Sequence, residues 1–542
     1  MKEYLVEIFN RLSEKIDYLR NIEILFSVPT QLGHGDYSTN IAMILSKQLK
    51  RSPTSIANEI VQKLQYDSKI IDKVEIAPPG FLNFYFKSDF INNIIKTILN
   101  ENSNYGKSEK YKNKKALVEF VSANPTGPLT VGHGRNAVVG DTVANMLETV
   151  GYNVDREYYF NNAGRQMRIL ADSVKLRYLE ICGEKIDFPE DYYQGEYIKD
   201  IAQKIYDEKG KGLSTDKNLE YFQNIAETEI FTDIKNTLKN IGIEMDSFYN
   251  EYCLYENKAI ENLLNTFKEK ELSYEKDGAL WFKLSQLGQE ADKVIIKSTG
   301  EPTYRLPDIA YHVTKYQRGY ELLVDLFGSD HNATYPDVVA GVKALGYDTT
   351  KLKVLIHQFV TIMEKGSVVK MSTRKANFIT LDELINEVGA DVVRYFFIMR
   401  SIHSHLNFDL ELAKKHSDEN PVFYIQYAHA RICSILQMTK EQELNSSIEH
   451  LDLLTTESEQ VLIKKLYKFS YEVLYSTENY EPHRIALYLE ELAESFHKFY
   501  TECRVIGVEK DLSEARISLC IATRIVFRNG FKILGINAPE RM

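Results

Sequence analysis

"SANPTGPLTVGHGRNAVVGD", residues 122–141, decides between two nucleotide-binding folds, because two patterns overlap in it. Gly132, Gly134 and Ala137 match G-x-G-x-x-G/A, the turn that opens a dinucleotide-binding fold. The same stretch also contains a proline-containing loop that ends in Gly132 and His133, a different way to hold a nucleotide. The first pattern predicts NAD as the ligand, and the second predicts ATP.

The distance from the preceding strand separates these two interpretations. The strand "LVEFV" ends near residue 121, and ten residues, two of them proline, come before Gly132. In a dinucleotide fold the glycines follow the strand directly, because the tight turn itself holds the pyrophosphate. The spacing therefore argues against an NAD-dependent oxidoreductase and favours a loop that leads into a helix.

The start of that helix suits a phosphate group. Its free N–H groups and the positive end of its dipole attract anions, and glycine lets a ligand approach the backbone closely. His133 can donate a hydrogen bond to a phosphate oxygen whose charge grows during attack. Taken alone, His133 is as well explained by a capping or packing role.

A second basic motif lies far downstream, in "GSVVKMSTRKANF", residues 366–378. Lys370, Arg374 and Lys375 stand there among short side chains, next to a glycine. Cations on such a loop suit a pyrophosphate leaving group, which they neutralise as the bond breaks. Without the first motif this stretch is a solvated basic loop, and together the two motifs indicate ATP chemistry.

The wider pattern predicts an α/β protein with further domains at both ends. Strands and helices alternate over residues 116–400, which favours a parallel sheet with helices on both faces. A charged, mostly helical insertion covers about 165–275. The first 105 residues combine helical periods with a strand pair around the Pro-Pro-Gly turn of "VEIAPPGFLNFYF", and from about residue 410 the pattern is wholly helical.

Composition excludes several classes of protein. Hydrophobic residues make up 44%, without a long uncharged apolar run, so several cores and no membrane span are expected. The net charge of −11 argues mildly against a nucleic-acid coat protein. The five cysteines have no C-x-x-C spacing, so a reduced cytoplasm and no structural zinc are expected.

The two motifs together resemble the HIGH and KMSK signatures of class I aminoacyl-tRNA synthetases. The text around them is similar to one family of that class, the arginyl-tRNA synthetases. The stretches that carry this similarity are "VEFVSANPTGPLTVGHGRNAVVGD", "REYYFNNAGRQM", "PTYRLPDIAYH", "KMSTRKANFITLDEL", "ENPVFYIQYAHARICSI" and "LGINAPERM". Thr130 stands where the family usually has a His, and Ala376 replaces a usual Gly. Thr373 stands where the general class signature has its second Lys, a common form in this family.

The resemblance implies an architecture, a reaction and partners. It implies an N-terminal α+β domain that contacts tRNA (1–106), a Rossmann-like catalytic domain (107–400) and an all-α, anticodon-binding domain (401–542). The implied reaction activates arginine with ATP, accompanied by Mg²⁺, to arginyl-adenylate and then transfers the arginyl group to the terminal ribose of tRNA. We expect a monomer in the cytoplasm without a dedicated metal site.

Candidate site residues follow from the motifs and from the strand ends at which such sheets bind ligands. The predicted catalytic residues are Thr130, His133, Lys370 and Arg374. The predicted ATP contacts are Pro125, Gly132, His133, Gly134, Gly328, Asp330, His331, Lys370, Met371 and Ser372.

A planar guanidinium is best bound by a bidentate carboxylate, which favours Asp308 with Tyr304 one helical turn before it. The resemblance implies that Glu119 and Asn124 hold the amino end of the substrate. The predicted arginine contacts are then Glu119, Ser122, Asn124, Tyr304, Asp308 and His331, with Gln166 a weaker candidate. Glu119 alternates with apolar neighbours, so we expect its side chain to point away from the core. Tyr424, Tyr427 and Arg431 have helical spacing and are predicted to contact tRNA, although packing inside the bundle explains the tyrosines nearly as well.

Two alternatives remain beside the ligase. One is an enzyme of the same fold that uses ATP but no tRNA, against which the long helical C-terminus argues. The other is a catalytically inactive RNA-binding or regulatory relative, for which Thr130 is the only indication.

Overall fold

The computed structural model of the 542-residue chain describes residues 1–20, 22–27, 29, 34–214, 219–369 and 379–542. The predicted site residues Lys370, Met371, Ser372 and Arg374 lie outside the described residues. The described chain forms two compact units. The first contains residues 1–102, 432–468 and 494–525, and the second contains residues 103–431, 469–493 and 526–542. The three domains predicted from the sequence do not coincide with these units and stay a prediction.

The strands, in chain order, are β1 (Tyr37–Thr39), β2 (Ile71–Ala77), β3 (Phe81–Phe86), β4 (Lys115–Glu119), β5 (Asn153–Phe160), β6 (Ser247–Asn250), β7 (Ser273–Lys276), β8 (Ala279–Phe282), β9 (Lys293–Ile296), β10 (Leu322–Gly328), β11 (Leu352–His357), β12 (Val360–Glu364), β13 (Ser367–Val368) and β14 (Leu406–Asp409).

The α-helices are α1 (Lys2–Ser13), α2 (Ile41–Leu49), α3 (Pro53–Lys63), α4 (Ser88–Glu101), α5 (Val131–Thr149), α6 (Gly164–Ile181), α7 (Glu196–Lys209), α8 (Glu220–Asn240), α9 (Tyr252–Glu256), α10 (Ala259–Glu269), α11 (Arg305–Gln317), α12 (Tyr335–Ala344), α13 (Leu381–Val388), α14 (Ala390–Ile398), α15 (Leu410–Ala413), α16 (Pro421–Glu441), α17 (Glu457–Glu478), α18 (Pro482–Glu502) and α19 (Lys510–Leu534). No described helix is both long enough and apolar enough to cross a membrane.

The N-terminal part of the first unit is an α+β fold. Strands β1, β3 and β2 form an antiparallel sheet in that order, which confirms the predicted strand pair around the Pro-Pro-Gly turn. Its core contains a cluster of Phe9, Phe26 and Phe84, whose rings meet edge to face at 5.2–6.0 Å. Such edge-to-face pairs stabilise a small core beyond the area that they bury.

A parallel sheet of five strands forms the centre of the second unit. Its strands lie in the order β11-β10-β4-β5-β6. If the five strands are numbered in chain order, from β4 as 1 to β11 as 5, their order across the sheet is 3-2-1-4-5 when it is read from β6. Doubly wound nucleotide-binding sheets have this order. The chain reverses its direction of travel across the sheet between β4 and β10. The predicted Rossmann-like fold is therefore confirmed.

Helices cover both faces of this sheet. Neighbouring residues on a strand point to opposite faces, and Tyr158 packs against Phe231 of α8, whereas Tyr159 packs against Tyr311 of α11. Helix α5 approaches β4 closely at Gly140, where a Cβ would lie 2.3 Å from the ring of Phe120. The sheet is thus buried between α8 on one side and α11 on the other.

Two segments differ from the sequence-based expectation. The predicted insertion at about 165–275 is helical over α6, α7 and α8, but it also contains β6, a strand of the central sheet. Strand β14 lies beyond the predicted domain boundary at residue 400 and pairs with β12. Both strands have only four residues, too short to show a clear period in the sequence. From Pro421 onward the α-helices predicted for the C-terminal region are present.

Candidate active site

The crevice between the carboxyl ends of β4 and β10 is where ligands bind in sheets of this order. Glu119 and Asp325 lie side by side in the register of these strands. The loop after β4 leads into α5, and a short 3₁₀ helix, Ser329–Ala333, follows β10. The predicted residues of the nucleotide site that lie in the described part of the chain come from these two connections.

Asn136 joins the ends of three strands at this edge. Its Oδ1 accepts the N–H of Val121 (2.6 Å), and its Nδ2 donates to the carbonyl of Leu326 (3.0 Å) and lies 3.3 Å from Nε2 of His357. Val121 and Ser122 both have positive φ (67° and 45°), which is an outlier for a β-branched residue. The bond from Val121 therefore stabilises a strained turn from which the nucleotide loop starts.

Thr130 and His133 form a reciprocal cap at the start of α5. The hydroxyl of Thr130 accepts the N–H of His133, and Nδ1 of His133 accepts the N–H of Thr130 at 3.2 Å. Burial lowers the pKa of His133, although the Asp330 carboxylate opposes this shift. A neutral imidazole whose Nδ1 accepts carries its proton on Nε2. The capping role proposed as an alternative is present, and it leaves Nε2–H as a donor without a partner among the described residues.

Gly132 and Gly134, in the first turn of α5, have different surroundings. A Cβ on Gly132 would meet only the Thr130 hydroxyl, at 3.7 Å, and the N–H groups of Val131 and Gly132 have no partner within the described residues. A Cβ on Gly134 would lie 2.6 Å from Leu381, and its N–H donates to the carbonyl of Thr130. Gly132 is open to a ligand, whereas Gly134 is required for helix packing, and its predicted ATP contact stays a prediction.

The chain returns to the start of α5 directly after the segment that carries the second basic motif. Leu381 N–H donates to the carbonyl of Leu129 at 2.8 Å, and Thr380 forms a bridge with Thr130. Thr380 caps α13 through a reciprocal bond with Glu383. The predicted roles of Lys370 and Arg374 stay predictions, but the residue that follows their segment is hydrogen-bonded beside the helix start.

The end of β10 contributes exposed polar side chains. His331 stacks on Phe327 at 4.8 Å, and its Nε2 lies 3.8 Å from the carboxylate of Asp330. A Cβ on Gly328 would lie 2.5 Å from that carboxylate. Pro125, on the loop after β4, is buried. Gly328, Asp330 and His331 therefore flank the crevice, and their contacts with ATP stay predictions.

Asp308 lies in the first turn of α11 with an unpaired carboxylate. Its N–H donates to the carbonyl of Tyr304 (3.1 Å), so the two residues share the helical face expected for them despite Pro307. The carboxylate has no hydrogen-bond partner among the described residues. Burial, assisted by the charges of Glu119 and Glu251, raises the pKa of Asp308 to about 7 against the opposing charges of His312 and Lys315. Tyr304, four residues earlier, is 76% exposed, and its predicted contact with arginine stays a prediction.

Glu251 is a site residue that the sequence-based prediction missed. It follows β6 directly, and its carboxylate accepts hydrogen bonds from the Tyr159 hydroxyl (2.7 Å) and from Nδ2 of Asn161 (2.8 Å). Burial raises its pKa, because neutral donors compensate the charge only in part. An acidic residue directly after a strand of the sheet is a candidate for a site at that edge. Glu251 was missed because the four residues of β6 were not predicted to form a strand.

Glu119 does not point away from the core, as expected, but is 3% exposed. Its carboxylate pairs with the ammonium of Lys315, which also donates to Asp325 at 2.6 Å. Burial alone would lower the pKa of Lys315, but the charges of Asp325 and Glu119 outweigh it and raise that pKa. Asp325 in turn bonds to Nε2 of His312 at 2.7 Å. The expectation failed because helix α11 supplies the counter-ion, which strand alternation does not reveal.

Ser122 and Asn124 hold the backbone of the site together. The Ser122 hydroxyl donates to Glu119 (2.8 Å) and accepts the N–H of Tyr159 (3.2 Å). Asn124 accepts the N–H of Asn161 and donates to Gln166, both at 3.0 Å. These bonds connect the loop after β4 to the residues around the end of β5, and any contact with arginine stays a prediction.

The predicted tRNA residues lie together on α16. Tyr427 stacks on Phe423 with ring centroids 5.9 Å apart, and the Arg431 guanidinium donates to the Tyr427 hydroxyl at 2.6 Å. Tyr424, Tyr427 and Arg431 are each partly exposed. Within the described residues there is no cluster of three metal-ligating side chains.

Comparison with known families matches three consecutive parts of the chain. Residues 2–86 match the arginyl tRNA synthetase N terminal domain, residues 94–395 match the class I (R) tRNA synthetase catalytic domain, and residues 425–542 match the DALR anticodon binding domain.

Full-length relatives and a solved structure agree with these matches. The chain is 48% identical to an arginine–tRNA ligase from Pelodictyon phaeoclathratiforme and 46% identical to one from Salinibacter ruber, over 100% of both proteins in each case. The solved arginyl-tRNA synthetase of Thermus thermophilus has the same fold, with a TM-score of 0.78 at 21% identity over 100% of both chains.

Proposed function

Because the chain belongs to the arginyl-tRNA synthetase family, we infer that it is an arginine–tRNA ligase. It activates arginine with ATP to arginyl-adenylate and transfers the arginyl group to the terminal ribose of tRNA. The residue roles below are our proposal. The observation that carries them is a contrast within one crevice. The capped start of α5 has N–H donors, and the partly buried Asp308 has a carboxylate, that find no partner among the described residues.

The start of α5 binds the ATP phosphates in this proposal. The N–H groups of Val131 and Gly132, which have no partner in the described part of the chain, and the positive end of the helix dipole attract the triphosphate. Nε2–H of His133 donates to an oxygen of the α-phosphate, on which charge develops during attack by the arginine carboxylate. The cap with Thr130 supports this role, because it holds Nδ1 and leaves the opposite edge of the ring for the ligand.

The second basic motif neutralises the leaving pyrophosphate. Lys370 is our first candidate for this contact and Arg374 the second, and the hydrogen bond from Leu381 to Leu129 supports the proposal, because it ties the chain that follows them to the start of α5. We propose that Mg²⁺ enters with ATP, held mainly by phosphate oxygens, since the ion commonly binds through substrate phosphates with few protein ligands.

The buried carboxylates select arginine. Asp308 forms a bidentate pair with the planar guanidinium, and Glu251 lies within electrostatic range of it as a second carboxylate. Asp308 forms no ion pair among the described residues, which supports a cationic ligand at this position. In contrast, Glu119 already pairs with Lys315. Its predicted contact with the amino group of arginine therefore requires one carboxylate to bind two cations at once.

The tRNA meets the chain at more than one place in this proposal. By family, the C-terminal helices bind the anticodon, for which Tyr424, Tyr427 and Arg431 are our candidates. We propose further that the enzyme is monomeric and works in the cytoplasm. Light scattering at micromolar concentration tests the first of these statements.

One experiment tests the function. The protein is incubated with labelled arginine, ATP, Mg²⁺ and bulk tRNA, and acid-precipitable label is measured. Charging that requires all of the components supports the ligase. Arginine-dependent pyrophosphate exchange at full rate without tRNA would contradict the family-based expectation that activation needs tRNA.

A further inference from the structure

An open groove of about 520 Å³ lies on the face of the central sheet that α8 covers, away from Asp308. Its apolar wall consists of Phe160 from β5, Phe248 from β6 and Phe231 from α8. Phe231 meets Phe160 at 4.6 Å and Phe248 at 6.1 Å, both edge to face. Phe231 and Phe248 are only partly buried, so aromatic surface remains open to a ligand.

Polar side chains line the rest of the groove. The ammonium of Lys235 lies 4.6 Å above the ring of Phe248 and has no ion pair among the described residues. Glu227 is half-buried, and its carboxyl accepts a single described hydrogen bond, from Nδ2 of Asn162 at 2.8 Å. Burial raises the pKa of Glu227. Asn224 lies one helical turn before Glu227, with its side-chain amide unpaired in the described part of the chain.

Two neighbouring asparagines connect this groove to the arginine site. Asn161 donates to Glu251, beside Asp308, and Asn162 donates to Glu227, in the groove. The loop after β5 therefore lies between the two sites, with one asparagine bonded into each. A ligand in the groove would lie next to the bond that orients Glu251.

We propose that this groove binds an unpaired nucleotide next to the 3′ end of the tRNA while the terminal ribose reaches the arginine. Its base stacks on the phenylalanine wall, Asn224 and Glu227 bond to the base edge, and Lys235 pairs with the adjoining phosphate.

The chemistry of the groove favours a nucleotide over a purely apolar ligand. Aromatic faces bind bases of any sequence, and a nearby cation holds the backbone, as in other single-strand sites. The proposal rests on the ligase function, because that reaction brings a single-stranded RNA end to the neighbouring site. It adds a contact that neither the signatures nor the arginine pocket contains.

The test measures how tRNA binding depends on salt. Dissociation constants are determined by filter binding at several salt concentrations for wild type, Lys235→Ala and Lys239→Ala. Each protein is tested with intact arginine tRNA and with the same tRNA whose unpaired 3′ nucleotides have been removed. Lys239 is exposed on the same helix outside the groove and has no described ion pair, so it serves as the matched control.

We expect Lys235→Ala to weaken binding of intact tRNA about fivefold and to lower the slope of log Kd against log salt by roughly 0.7, the value for one single-strand phosphate contact. The dissociation constant for trimmed tRNA should be the same for Lys235→Ala, Lys239→Ala and wild type. Phe231→Leu should show the same selectivity for intact tRNA, with a melting temperature that reports its fold.

An equal loss for intact and trimmed tRNA, or no difference between Lys235→Ala and Lys239→Ala, overturns the groove proposal. Wild-type protein that charges no tRNA would instead overturn the function on which the proposal rests. The two failures are therefore distinguishable.

Discussion

The start of α5 and the first turn of α11 are both helix N-termini at the carboxyl edge of one sheet, yet they offer opposite chemistry to a ligand. The first turn of α5 contains no acid, and its first N–H groups, beside His133, have no partner within the described residues. The first turn of α11 contains Asp308, whose carboxylate is unpaired among the described residues. In our proposal, the positive end of the α5 dipole binds the phosphates of ATP, whereas the same end of α11 lies beside a carboxylate that binds the guanidinium of arginine.

This difference indicates how each end obtains its specificity. The proposed nucleotide end uses backbone groups and a histidine three residues after its cap, so local sequence is enough to build it. The proposed arginine end depends on ion pairing: Lys315 pairs with both Glu119 and Asp325, whereas Asp308 and Glu251 form no ion pair within the described residues. Predictions can therefore separate the two ends.

The largest effect should come from Asp308→Asn. Loss of a bidentate partner for the guanidinium should lower kcat/KM for arginine about a thousandfold, since removing one partner of a buried charge pair costs roughly 2–5 kcal/mol. The KM for ATP should stay within about twofold of wild type. Steady-state charging kinetics with each substrate varied measures both values.

The fold of Asp308→Asn serves as its control. Burial disfavours the ionised carboxyl of Asp308, as its raised pKa indicates, so the neutral amide should not lower the melting temperature at pH 8. Arginine kinetics that match those of wild type would remove Asp308 from the site.

His133→Asn should have the next largest effect, on the other end of the site. Loss of one donor to the developing phosphate charge should lower the tRNA-dependent rate of pyrophosphate exchange about a hundredfold. The KM for arginine should change little. If the variant raised that KM as strongly as it lowered the rate, the separation of the two ends would be wrong.

Gly134→Ala and Gly132→Ala should separate packing from binding within one helical turn. A methyl group at residue 134 would overlap Leu381, so unfolding free energy should fall by about 1–3 kcal/mol. A methyl group at residue 132 meets no close atom and should leave stability unchanged within about 1 kcal/mol. Chemical denaturation measures both, and equal losses would contradict the assignment.

The smallest effect should be a pH dependence of arginine binding. Because the pKa of Asp308 is about 7 in the unliganded protein, the carboxyl is mostly ionised above this pH and protonated below it. Binding of the guanidinium requires the ionised form, so the KM for arginine should rise as pH falls below 7, by up to about tenfold per unit. Titration of KM from pH 6 to pH 8.5 checks this, and Asp308→Asn should abolish the dependence.

Much of the nucleotide end could be predicted because its determinants are contiguous. Spacing between the strand and the glycines excluded the dinucleotide turn, and the structure has α5 starting at Val131, directly after Thr130. The pairing of β2 with β3 was predictable for the same reason, because the two strands are joined by a short turn. The sequence could not show that Gly134 is needed for packing while Gly132 is open, since this depends on Leu381, which lies far away in sequence.

The arginine end was only partly predictable. Asp308 followed from the chemistry of the guanidinium and from family resemblance, but Glu251 lies after a four-residue strand without a visible period. The burial of Glu119 depends on its ion pair with Lys315 of α11, which lies almost two hundred residues later in the chain. Charge compensation of this kind arises only when distant elements meet.

The sequence by itself determined the alternation of strands and helices, the helix start that we propose for the nucleotide, and the family, because these depend on residues close in the chain or on extended similarity. The tertiary structure alone decided which carboxylates are neutralised and which remain for a ligand. It also decided which glycine is needed for packing and where the groove beside α8 opens. The physical reason is that burial and ion pairing are properties of neighbours in space, and β4, β6 and α11 become neighbours only through the order of strands in the sheet.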